Sequence, residues 1–178
     1  MNNQPASPSL LKLVGTALLV LVPLIYGIIA LNTGDVLWIS PVFDAQPVAI
    51  FIHCFGTDVP LEVDSPSFVE LTALVNQSLT GRKRWDDLSL SAITIQDYRS
   101  HPKMMTLELL YAAPFRVHSP YKFFSHIDTI IIPLVGRHAQ TNAVFGLAQT
   151  TPAAGSFHIE STAPLVEYIT SHGLCREP

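Results

Sequence analysis

Charge is what this chain has least of. Charged residues fill 13% of its 178 positions, about half the ~25% share of an ordinary soluble domain, so some stretch is built for a solvent other than water. Basic clustering is nearly absent too. With 10 Lys and Arg against 14 Asp and Glu, for a net charge of -4, the chain lacks the basic surface that nucleic-acid binding requires, and no nucleic-acid partner is expected. The exception is Arg82-Lys83-Arg84-Trp85. Its plainer reading is a solvated helix end, where cations suit the negative end of the macrodipole; contact with anionic lipid headgroups or with a partner's acidic patch is the alternative.

Catalytic motifs are also missing. Neither GxGxxG nor GxxxxGK[ST] occurs, and the nine glycines are dispersed singly, which argues against a phosphate cradle and nucleotide hydrolysis. No G-x-S-x-G elbow is present, so the usual serine hydrolase chemistry is not expected. Seven histidines occur, at 53, 101, 118, 126, 138, 158 and 172, none at the three-to-five-residue spacing that sets two imidazoles on one metal. His158-Ile159-Glu160 has the H-x-E form of zinc deaminases but lacks the accompanying P-C-x-x-C. No catalytic residue, cofactor or metal is assigned on these grounds.

What the chain has in excess is apolar sequence, 48% of residues. Residues 13–31 carry no charge and as a helix would reach about 28 Å, enough for a hydrocarbon core of about 30 Å. A cleaved signal peptide is the rival reading, but its apolar region is about 7 to 15 residues long, shorter than this run, and Ile28 and Ala30 make a poor cleavage pair. An uncleaved anchor is favoured. Its amino flank holds Lys12, whereas residues 32–47 hold Asp35 and Asp44 and no Lys or Arg. Positive-inside then predicts a cytoplasmic N-terminus and an extracytoplasmic domain, with Trp38 as a headgroup-level anchor. Gly15, Pro23 and Gly27 lie near one stripe of the helix, where small residues let a neighbouring helix approach closely; the plainer reading is the general tolerance of membrane helices for Gly and Pro.

Residues 1–9 read as a disordered tail, 10–31 as the transmembrane helix, 32–47 as a juxtamembrane linker and 48–178 as one globular domain. Within that domain, 48–56 is a strand candidate closed by the Gly56-Thr57-Asp58 turn signal and apolar enough to be covered on both faces. Ser65 and Pro66 open a helix with Phe68, Leu71, Leu74, Val75 and Leu79 at helical spacing, closed by Gly81. Residues 88–98 and 104–117 predict two antiparallel strands joined through residues 99–103, the first with a bulge where its apolar phase changes between Leu90 and Ile93. A short helix at 121–127, a strand at 129–135 in which Pro133 demands an edge or an end, a strand at 142–149 and a helix at 162–172 complete the order. The connections are mostly too short for crossovers, which predicts an α+β domain with a mostly antiparallel sheet and two or three helices packed on it.

Four polar residues fall on or beside the expected strands. Asp97, Arg99, Glu108 and Arg116 could converge on a polar ligand, against the plainer alternative of a cross-strand ion pair on the solvent face. His53 and Cys54 are adjacent, but neighbours on a strand point to opposite faces, so they cannot form a dyad with each other. Cys54 has another partner available. The chain's only other cysteine is Cys175, and in an oxidising compartment the two predict a disulfide closing a loop of about 120 residues, worth about 4 to 5 kcal/mol. Two buried free thiols and a reactive Cys54 are the other possibilities. The expected function is that of a single-pass accessory or interaction subunit, with the lipid bilayer and other membrane subunits as partners; a membrane-tethered enzyme or small-ligand-binding domain is the alternative.

Overall fold

A computed structural model of the chain describes residues 9–40, 42–81, 83–122 and 124–177. The tail at 1–8, together with Pro41 and Arg82, lies outside them. The first helix, α1 (Leu10–Thr33), is long and apolar enough to cross a bilayer, and no part of its apolar window is buried against the rest of the chain. Gly34, left-handed at φ 66°, ends it, its N–H bonding the Ala30 carbonyl.

The remainder is mixed α+β. Strands β1 (Ala49–Cys54) and β2 (Thr57–Leu61) form a hairpin, followed by helix α2 (Pro66–Leu79), strand β3 (Arg84–Asp86) and helix α3 (Ala92–Ser100). Then come β4 (Met105–Phe115), β5 (Ile127–Val135), a 3-10 turn (Ala139–Thr141), β6 (Ala143–Ala148), β7 (Thr151–Pro152), β8 (Ser156–His158) and helix α4 (Ala163–Ser171). Every pairing is antiparallel, in the order β2-β1-β4-β5-β6-β8-β3, with β7 beside β6.

The alternation of side chains divides the core into two layers. Ile50 and Ile52 of β1, Leu107 and Leu109 of β4, and Ile130 and Ile132 of β5 pack with Leu71 and Val75 of α2 and Leu165 and Ile169 of α4. The opposite face carries Ile131, Phe145 and Leu147 against Ile95 and Tyr98 of α3. Cys54 and Cys175 are joined by a disulfide, with Cα atoms 5.5 Å apart.

Several local expectations are corrected. Residues 88–98 do not form a strand. Ser91 caps α3 by accepting from the Thr94 N–H at 3.1 Å, and the phase change that looked like a bulge marks this helix start. The turn signal at Gly56 is placed one step late: Phe55 and Gly56 alone turn the hairpin, both at positive φ, as a two-residue turn of the primed type requires. Thr57 already belongs to β2, where Pro60 is tolerated because β2 is an edge strand. Thr80, not Gly81, caps the end of α2. Arg84 and Trp85 lie on β3 rather than on a helix end, and 121–127 contains no helix among its described residues. Pro133 sits past the last β5–β6 pair, Ile131 with Phe145, and opposite Thr106 of β4, where that ladder shifts register.

Gly146 of β6 has no room for a side chain, since a Cβ there would meet the Phe124 ring at 2.6 Å and Ile127 at 3.0 Å. Both neighbours are fully buried. Gly146→Ala is expected to lower stability by about 1 to 3 kcal/mol through overpacking, read as a lower midpoint in urea unfolding with unchanged slope.

Candidate functional site

Charged side chains inside a sheet need partners, and β1 carries His53 and β4 Glu108. His53 is 5% exposed and Glu108 4%. In the β1–β4 register Phe51 faces Glu108 and His53 faces Thr106, so His53 and Glu108 are diagonal neighbours on the face beneath α3. The His53 Nε2 meets a Glu108 carboxylate oxygen at 2.7 Å, and its Nδ1 meets Asp58, directly opposite on β2, at 2.7 Å. Arg99, in the last turn of α3, donates from Nε to Glu108 at 2.9 Å and from Nη2 to the other carboxylate oxygen. A helix and three strands thus converge on one group of Arg99, His53 and two carboxylates, whose charges balance when His53 is protonated.

The electrostatics follow from burial and pairing. Desolvation disfavours the His53 imidazolium, but its hydrogen bonds to Glu108 and Asp58 outweigh it and raise its pKa above the ordinary value. Glu108 is likewise penalised by burial, yet the His53 and Arg99 bonds hold its pKa below the usual carboxylate range. Its carboxylate raises that of Arg99 in turn. Because both imidazole nitrogens face carboxylates, His53 has no free lone pair to serve as a base. The cluster is a polar lock, buried at His53 and Glu108 and open to solvent at Asp58 and Arg99.

Of the four residues grouped on sequence grounds, only Arg99 and Glu108 meet. Asp97 lies on α3 rather than on a strand, half-buried. Arg116 donates at 3.0 Å to the Thr33 carbonyl at the end of α1, where a cation suits the helix dipole. Glu108 does not face solvent, so the solvent-face ion pair does not describe it either. His53 and Asp58 were missed as partners, although the period of two already sets His53 on the face opposite Ile52 and Cys54.

A second polar set ties α1 to the domain. The Asp35 carboxylate, 3% exposed, takes the His118 Nδ1 at 3.0 Å and the Leu37 N–H at 2.9 Å. Elsewhere Tyr98 is hydrogen-bonded to His138, and burial pushes its phenol pKa up. Gly15 and Gly27 of α1 open onto space, with nothing within 4 Å of a Cβ at either; Pro23 lies between them in the helix. Among the described residues, no three His, Cys, Asp or Glu side chains gather as a metal site. No family model, curated protein or solved structure matches the chain.

The lock makes stability pH-dependent. His53, with its pKa raised on folding, contributes fully below its ordinary 6.5 and loses that contribution as pH rises through the folded value. Glu108, lowered from 4.5, contributes above that value and loses it as pH falls through the folded one. Both are present between about pH 4.5 and 6.5. Thermal unfolding of the disulfide-intact chain should therefore show its highest midpoint in that window and decline on the alkaline side; His53→Gln should flatten the alkaline decline. Glu108→Gln, which strips the carboxylate from two cations, is expected to cost about 3 kcal/mol.

Proposed function

We propose that the chain is a single-pass accessory subunit, anchored by α1 with its N-terminus in the cytoplasm and its α+β domain on the outer side, and docked by that helix onto other membrane subunits. The observation that carries this is the contrast between the two parts. Through its apolar window α1 stays unburied, while the domain's best-formed polar cluster is satisfied by its own members. Close packing between membrane helices depends on small residues, and Gly15 and Gly27 offer open surface of that kind. Lys12 and the disulfide support the orientation, since disulfides persist in oxidising compartments.

One observation favours a second reading, a membrane-tethered enzyme or small-ligand-binding domain. A cavity of about 680 Å³ lies among Arg84, Asn142, His158 and Glu160. There His158 donates from Nδ1 to the Thr141 carbonyl at 2.6 Å, and its Nε2 lies 3.4 Å from the Asp86 carboxylate.

Native mass measured in mild detergent separates the two. The accessory-subunit reading expects co-migration with a larger assembly, weakened when Gly15 and Gly27 are both changed to Leu and lost when α1 is replaced by an unrelated apolar span. A stable monomer whose α1 is freely replaceable contradicts it and favours the ligand-binding reading.

A further inference from the structure

Between Lys12 and Asp44 the chain carries one charged residue, Asp35, and the fold turns it inward. Its carboxylate is held by the His118 imidazole at 3.0 Å and by the Leu37 N–H at 2.9 Å, so residues 13–43 leave no charge facing outward. That stretch is longer than the roughly 20 apolar residues a spanning helix needs. The surplus does not extend into water. Beyond Gly34 the chain folds back along the anchor: Tyr26 donates its hydroxyl hydrogen to the Val36 carbonyl, and the Tyr26 and Trp38 rings lie 5.9 Å apart. Trp38 is thereby set beside a residue about two turns, or roughly 10 Å, before the helix end.

Four side chains of the returning segment stay uncovered. Val36, Leu37, Ile39 and Val42 are 66%, 53%, 64% and 55% exposed, whereas the apolar faces of the sheet are filled by α2, α3 and α4. The patch continues the surface of α1, whose apolar window is likewise unburied. Its backbone also suits a poor solvent. Non-helical backbone at membrane depth needs its polar groups met from within. Here the Asp35 N–H bonds the Ala30 carbonyl at 3.2 Å, the Leu37 N–H the Asp35 carboxylate, the Ser40 N–H the Leu37 carbonyl at 2.7 Å and the Phe43 N–H the Thr80 hydroxyl at 3.1 Å. A charge-free, self-bonded apolar turn flanked by Tyr and Trp matches the boundary between acyl chains and headgroups.

We propose that Val36, Leu37, Ile39 and Val42 form a second membrane contact, immersed at that boundary in the leaflet that α1 exits, with lipid as its occupant. The proposal rests on the membrane-anchored reading. Lipid is favoured over a partner subunit because the patch extends the spanning surface without a break. The bonds of Arg116 to the Thr33 carbonyl and of His118 to Asp35 fix the domain to the helix end, so the immersed turn sets the height of the whole domain before any partner binds.

The test uses the full chain with Trp85→Phe, which leaves Trp38 as its single tryptophan, in phosphatidylcholine nanodiscs brominated at a shallow or a deep acyl position. Shallow bromines should quench Trp38 more strongly than deep ones, and aqueous acrylamide should quench it little. Leu37→Asp together with Ile39→Asp, which sets two carboxylates against hydrocarbon, should drive the turn outward, with loss of bromolipid quenching and a red shift of Trp38 emission; Leu37→Phe with Ile39→Phe should retain both. No quenching by either bromolipid, or quenching unchanged in the double Asp variant with its disulfide intact, overturns the proposal. A lipid-soluble carbene photolabel on the unmodified chain in its native membrane gives an independent reading, and should reach Leu37 and Ile39. If it misses them there but labels them in nanodiscs, a partner subunit is the occupant and the proposal fails. Extraction of the chain from vesicles by alkaline wash overturns the anchored reading itself, and is scored separately.

Discussion

The bond between Cys54 and Cys175 is the constraint on which the domain depends. Cys54 ends β1, which lies between β2 and β4, and Cys175 follows α4, so one covalent link fastens the last helix to the sheet across a separation of 121 residues. In the chain-entropy model a loop of that size is worth about 5 kcal/mol, comparable to the whole stability of a modest domain. It also keeps Leu165 and Ile169 seated on the apolar face that they share with Leu71 and Val75. The adjacent His53 points the other way and anchors the opposite face through Glu108 and Arg99. Two neighbouring residues of one strand therefore hold both layers, one by a covalent bond and one by charge.

Polar contacts elsewhere join the domain to its anchor. Arg116 reaches the Thr33 carbonyl and His118 pairs with Asp35, while Thr80 at the end of α2 exchanges hydrogen bonds with the backbone of Phe43. The segment after α1 is thus bonded to the domain and also packed on the helix through Trp38 and Tyr26. On the proposed orientation, the domain sits low on the bilayer rather than at the end of a free tether. A subunit that caps a membrane complex would benefit from such a fixed height.

The parts legible in the sequence were those written in local chemistry. The apolar run of α1 and the Ser65-Pro66 start of α2 followed from solvent and capping rules that act within a few residues, and the antiparallel α+β class followed from connection lengths. Residues 88–98 misled because Ile93 and Ile95 alternate like a strand, whereas Ser91 capping and the burial of Ile95 and Tyr98 on one helical face prevailed. The polar cluster was half legible. Glu108 and Arg99 stood out as charges amid apolar sequence, but their meeting with His53 and Asp58 depends on strand order, which no single strand encodes. Arg116 was drawn into the wrong group for the same reason, because its partner belongs to α1, 83 residues earlier.

The most direct test of this account is non-reducing peptide mapping by mass spectrometry, on protein taken from its native membrane with free thiols blocked at lysis. The account predicts a crosslinked peptide pair carrying Cys54 and Cys175, the outcome expected of a domain in an oxidising compartment. Two blocked free thiols would contradict it, removing the staple from β1 and the support that the disulfide lends to the outer-side orientation.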